Sequence, residues 1–168
     1  MQQMWTDIDH YIDSHLIPED PNLQFALENT ANQGFPDHLA VAPNQGMLLQ
    51  MLIQMNQCKR VLELGTFAAY STVWLARTLP KDGYLLTIEG RDSHAALAQQ
   101  NIDHAQFEMP VELKVGRAAD ILREIDPTTF EPFDFIFIDA DKQSYPEYLE
   151  LTLNLSHSGT IPVSYTHL

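Results

Sequence analysis

Four short runs rich in apolar residues, Arg60–Leu64, Tyr84–Ile88, Val111–Val115 and Phe133–Ile138, each give way to a stretch of helical spacing. No other feature of the 168-residue chain restricts its fold as strongly. Parallel strands need long crossovers, and right-handed crossovers lay helices on both faces of the sheet. The helical stretches are Tyr70–Leu79, Ser93–His104 with Ser93 as a plausible N-cap, Ala118–Ile125 and Tyr145–Leu155. Gly159-Thr160-Ile161 starts a fifth strand. The expected fold is α/β: a Rossmann-like, doubly wound, mostly parallel sheet preceded by N-terminal helices. Ligands of such sheets bind at the carboxyl ends of the strands, near the switch in strand order.

Three helices are expected ahead of the sheet. Met4–His15 carries Trp5, Ile8, Tyr11 and Ile12 at helical spacing, with Leu16 just beyond, and Pro18 and Pro21 stop it. A second helix runs over Asn22–Asn32, and Gly34-Phe35-Pro36 breaks the chain again. The third begins after Pro43 and presents Met47, Leu48, Met51, Leu52 and Met55, a stripe that reads as core. One domain is expected over 1–168: an N-terminal helical arm (1–56), a cofactor-binding core (57–161) and an atypical tail (162–168).

The strand ends carry the chemistry. Gly65 follows the first strand, where a glycine allows a tight turn and a close ligand approach. It is not the start of a G-x-G-x-x-G phosphate loop. Glu89 follows the second strand, 24 residues after Gly65, near the ~20 expected for an acid that accepts ribose hydroxyls. Gly116-Arg117-Ala118-Ala119-Asp120 follows the third and suits an adenine edge as well as a plain helix start. Asp139-Ala140-Asp141-Lys142 follows the fourth. Two carboxylates and a lysine at the end of a buried strand are costly unless used or paired, and such oxygens suit Mg²⁺ or Ca²⁺.

Composition narrows the partners. The formal net charge of -14 disfavours nucleic acid and anionic membranes. The chain has one cysteine, Cys58, beside Lys59 and Arg60, so no internal disulfide is possible and a structural thiol is the better reading. The first residues are polar and acidic, and no apolar run approaches the ~20 residues of a membrane span. A cytoplasmic protein is expected.

Taken together, these residues resemble the catechol and caffeoyl-CoA type of class I S-adenosylmethionine-dependent O-methyltransferases, especially the small bacterial members. The resemblance runs from about Trp5 to Ile161. It rests on Glu63-Leu64-Gly65-Thr66 with Tyr70-Ser71-Thr72, on Trp74-Leu75-Ala76-Arg77, on Ala40-Val41-Ala42-Pro43 with Gln45-Gly46, and above all on Phe137-Ile138-Asp139-Ala140-Asp141-Lys142. It implies that Val41, Glu63, Gly65, Thr66 and Ser71 line the methionine end of S-adenosylmethionine, that Glu89 holds the ribose, that Ala118 touches adenine and that Asp141 lies near the cofactor. It further implies Asp139 as a divalent-metal ligand that meets the substrate and Lys142 as general base. The implied reaction is methyl transfer to a hydroxyl of a small, catechol-like acceptor, and the family's habit implies a homodimer.

The chain departs from that family twice. Ala69 stands where a glycine is usual. The family's fifth strand also runs on through an Asp-Asn pair that completes the metal site, whereas Pro162–Leu168 has none and Pro162 suits a central strand badly. The tail therefore reads as a truncation, a frameshift or another artefact, leaving an exposed edge and marginal stability. His157 and His167 match no metal-ligand spacing as substitutes. A non-catalytic cofactor-binding or oligomerising fragment is the alternative function. A nicotinamide-dependent oxidoreductase is a third, against which the lone Gly65 and the Asp139–Lys142 segment count.

Overall fold

β1 (Arg60–Leu64) lies at the centre of five parallel strands in the order β3-β2-β1-β4-β5. The others are β2 (Tyr84–Glu89), β3 (Val111–Val115), β4 (Phe133–Ile138) and β5 (Ser156–Ser164). The structure, a computed structural model, describes residues 2–36 and 39–165. The chain winds outward from β1 through β2 to β3, then returns to the other side of β1 for β4 and β5. The switch point lies between β1 and β4, whose register pairs Leu64 with Ile138.

Period-2 alternation sends the strand residues into two cores. Val61, Leu85, Phe135 and Phe137 pack with Leu49 and Ile53 of α3 (Pro43–Met55) and with Val73 and Trp74 of α4 (Tyr70–Ala76). Leu62, Leu64, Leu86, Ile88, Ile136 and Ile138 pack on the opposite face, with Ala119 and Leu122 of α6 (Ala118–Glu124) and Tyr148 of α7 (Tyr145–Leu153). α1 (Gln2–Leu16) and α2 (Pro21–Asn32) pack on α3 and on α5 (Asp92–Ala105), respectively. The arm is joined closely to the core: a Cβ on Gly46 of α3 would lie 2.4 Å from Trp74 Cδ1.

β1 to β4 begin where the sequence places them; β5 begins at Ser156, three residues before the expected Gly159, and the helix ends differ. α2 starts at Pro21, because Asp20 caps it by accepting from the Asn22 and Leu23 N–H groups. α4 stops at Ala76 and α7 at Leu153. Ser93 is not the cap of α5; Arg91 holds that place with no side-chain cap, and Ser93 sits inside the first turn. β5 runs through Pro162, which pairs with Ile136. It is the outer strand of the described sheet, where a residue without an N–H is tolerated on the free side. Cys58 is buried; burial, with Asp134 nearby, pushes its thiol up to about 11, as befits a structural thiol. No described helix is long and apolar enough to cross a membrane.

Candidate active site

The carboxyl ends of β1, β2, β3 and β4 are pinned together one residue past each strand. Gly65 N–H donates to Ile88 O, Gly116 N–H to Glu89 O and Asp139 N–H to Leu64 O, at 2.8–2.9 Å. Above them opens a cavity of about 640 Å³, in the size range of small-molecule sites. Val41, Gly65, Thr66, Ser71, Glu89, Ala118, Asp139, Asp141 and Lys142 all line it. Nine of the ten residues singled out in the sequence thus meet in one space.

The loop after β1 is shaped by left-handed backbone. Gly65 has φ +96°, Phe67 +48° and Ala69 +60°. Gly65 is required twice over, because a Cβ there would also lie 2.2 Å from Asp139 O. Ala69, the departure from the family pattern, is fully buried against Ala98 and Ile102. The Ala68 carbonyl accepts from Asn101 Nδ2 at 2.7 Å, and Asn101 Oδ1 accepts from Asn29 Nδ2 at 2.8 Å. The loop is therefore tied through α5 to α2.

The tenth residue, Glu63, is the correction. It does not line the cavity but lies fully buried beneath the loop. Its Oε1 accepts from Ser71 Oγ at 2.6 Å, and its Oε2 accepts from Thr72 Oγ1 at 2.5 Å and Thr87 Oγ1 at 2.7 Å. The side chain points to the same sheet face as Val61 and is covered by α4, so it holds Ser71, which does line the cavity, from beneath. Burial outweighs the three hydroxyls and pushes its carboxyl up to about 7.

Glu89 sits in the cavity wall, 7% exposed. Its Oε2 accepts the Phe67 N–H at 2.8 Å and its Oε1 the Arg91 N–H at 3.0 Å. A carboxylate has about four acceptor sites, so it retains capacity for a diol. At the β4 end, Lys142 Nζ lies 3.2 Å from Asp139 Oδ1 and donates to Tyr145 Oη at 2.5 Å. Partial burial lowers the ammonium pKa, but Tyr145 and Asp139 outweigh it and raise the group above its ordinary value. The lysine is a cation at rest. Asp141 accepts from the Ser144 N–H and Tyr148 Oη, which hold its carboxyl below the usual range against its own burial.

The implied metal site does not fit these residues. Asp139 is engaged by Lys142 and by the Tyr165 hydroxyl, and Asp141 by Ser144 and Tyr148. Among the described residues no group of three His, Cys, Asp or Glu side chains is placed to hold an ion. His157 lies elsewhere, bonded through Nε2 to Asp134 Oδ1 at 2.9 Å. His167 lies outside the described residues. Sequence reasoning missed Phe67, Tyr70, His94, Arg117 and Tyr148, which also line the cavity. Starting α5 at Asp92 would have brought His94 to the first turn facing Glu89.

Comparison with known proteins agrees with this geometry. The O-methyltransferase family profile matches residues 14–166. A catechol O-methyltransferase of Niastella koreensis is 48% identical over 162 residues, covering 96% of this chain and 73% of that protein. The O-methyltransferase of Bacillus cereus, solved in complex with SAH, superposes with a TM-score of 0.90 at 44% identity, covering 96% of this chain and 73% of that one. The O-methyltransferase TomG of Streptomyces achromogenes, involved in tomaymycin synthesis and solved with SAM, gives 0.85 at 44%, covering 93% and 70%. With the strand order, the strand-end cavity and a profile spanning nearly its whole length, the chain belongs to the O-methyltransferase family and has the Rossmann-like fold of its S-adenosylmethionine-dependent members.

Proposed function

We propose that the cavity binds S-adenosylmethionine and that the chain transfers its methyl group to a hydroxyl of a small, catechol-like acceptor. The observation that carries this reading is the continuity of one cavity from the buried Glu89 carboxylate to the Asp139–Lys142 pair. Glu89 accepts the ribose hydroxyls with the sites its backbone partners leave open. Ala118, small and buried, borders the adenine, and Asp141 lies alongside. Gly65, Thr66, Ser71 and Val41 surround the methionine end, with Glu63 holding Ser71 from below. When bound, the cofactor supplies a methyl group activated by the sulfonium.

The chain's own residues position and activate the acceptor. Transfer requires the acceptor oxygen in line with the methyl group, so orientation supplies much of the rate. A protonated phenol is a poor nucleophile. Lys142, charged at rest, lowers the hydroxyl pKa through its field, and Asp139 Oδ1, 3.2 Å away, is within reach of the released proton. The general-base role implied for Lys142 alone thus passes to the pair.

Calorimetry of S-adenosylmethionine binding to the wild type and Glu89→Ala tests the reading. Losing the diol's charged acceptor should weaken binding about 10- to 100-fold. Equal affinities would overturn it, and absence of binding by the folded wild type would leave a non-catalytic fragment.

We also infer a homodimer through the arm, where Trp5 (59% exposed), Tyr11 (66%) and Met55 (76%) leave apolar surface in water. Light scattering at micromolar concentration should read twice the chain mass of 19.1 kDa.

A further inference from the structure

His94 stands in the first turn of α5 with its Nδ1 3.5 Å from Glu89 Oε1, and the two side chains are only 12% and 9% exposed. Two aromatic rings enclose the imidazole edge-on. The Phe67 centroid is 4.9 Å away at 81°, and the Phe35 centroid 5.5 Å away at 80°. Each contact comes from a different part of the fold: Glu89 from the end of β2, Phe67 from the loop after β1, and Phe35 from the segment after α2. That last segment leads to Leu39, Ala40 and Val41 in the cavity wall.

We propose that His94 is a positioning residue for the Glu89 carboxylate and, through it, sets the affinity for the ribose of the cofactor. The proposal rests on the reading of Glu89 as the ribose acceptor. A glutamate's terminal torsion is soft, so the plane of its carboxylate follows its partners. Here the Phe67 N–H holds one oxygen and the Arg91 N–H the other. The imidazole adds a third polar neighbour, on Oε1. Its Nδ1, 3.5 Å from Oε1, is placed to donate there when the ligand draws the pair together, either as the imidazolium or as the Nδ1–H tautomer. The remaining acceptor directions are then fixed toward the cavity. Phe35 and Phe67 flank the imidazole and leave the pair largely buried, which strengthens its electrostatics. The same rings join the β1 loop and the Phe35 segment to one imidazole, so a ligand that settles Glu89 also settles both walls.

Two substitutions separate the contact from the packing. His94→Asn keeps an N–H donor near the place of Nδ1 and loses the ring. His94→Phe keeps the ring and loses the donor. Calorimetry with S-adenosylhomocysteine on the full chain should show His94→Phe about tenfold weaker than wild type and His94→Asn within about threefold of it. His94→Leu should show the same tenfold loss, and it replaces the Phe variant if that one melts early. Wild-type affinity in the donor-free variant, or equal weakening in Asn and Phe, overturns the proposal. Glu89→Ala in the same series keeps the two ideas distinct. If it weakens binding while His94→Phe does not, only the role of His94 falls. If it binds normally, the ribose reading falls and the role of His94 with it.

Discussion

Glu63→Gln should change how the stability of this protein depends on pH. The Glu63 carboxyl is fully buried and is pushed by burial from 4.5 up to about 7. Below about pH 4.5 it is protonated both folded and unfolded, so it contributes no pH-linked penalty. As pH rises, the unfolded chain ionises first while the folded carboxyl still holds its proton, and stability falls until about pH 7. Above that the penalty is complete. A shift of this size corresponds to a penalty on the order of 3 kcal/mol. Glutamine never ionises and can still be satisfied, because Ser71, Thr72 and Thr87 hydroxyls can each rotate to donate or accept. For a chain of this size, ~1 kcal/mol moves Tm by roughly 2–4 °C. The melting temperature of the variant relative to wild type should therefore rise by roughly 6–12 °C between pH 4.5 and pH 8. Scanning fluorimetry of both proteins across that range, at constant ionic strength, reads the difference directly. Groups common to both, such as His157, cancel in it. Parallel pH profiles for the two proteins would refute the burial argument.

Gly65→Ala combines a left-handed backbone with a Cβ placed on Asp139 O, and should cost roughly 2–4 kcal/mol in chemical denaturation as well as abolishing cofactor binding. Gly46→Ala drives a methyl into the Trp74 indole and should cost about 1–3 kcal/mol, loosening the arm from α4, as read by hydrogen exchange in α3. Ala69→Gly relieves a left-handed alanine worth ~1 kcal/mol, but loses a buried methyl and adds unfolded-state freedom of similar size. Its denaturation midpoint should stay close to the wild type. Millimolar Mg²⁺ should leave S-adenosylmethionine affinity unchanged in calorimetry, because the described carboxylates are already engaged.

The sheet was legible because each strand is short, apolar and followed at once by a turn-forming or charged residue. β1, β3 and β4 fall at Arg60–Leu64, Val111–Val115 and Phe133–Ile138 as the pattern places them. Their ends could be read for chemistry because topology alone brings such ends together. Helix ends were less legible, since they depend on caps and packing: Asp20 draws α2 back to Pro21, and α5 begins before Ser93. The side chains that act on other side chains were not legible at all. Nothing in the order of residues says that Tyr145 holds Lys142 or that His94 reaches Glu89.

Glu63 shows most clearly why position and role separate. It stands two residues before Gly65, on the strand that feeds the cavity, and by resemblance it belongs to the ligand. Alternation sets it beneath the cavity wall instead of in it. Residues 61 and 63 share one sheet face, which α3 and α4 cover, so a carboxylate at 63 points under α4 while Gly65 opens above the strand ends. A buried acid there is tolerable only with hydroxyl partners, and Thr87 faces it across the β1–β2 register while Ser71 and Thr72 descend from the first turn of α4. Thr66 joins through Thr87 at 2.5 Å, so two residues that line the cavity, Thr66 and Ser71, are held from beneath by Glu63 and Thr87, which do not line it. The rigidity of this part of the cavity wall therefore originates one layer below it, and substitutions in that layer should change cofactor affinity without altering the residues that line the cavity.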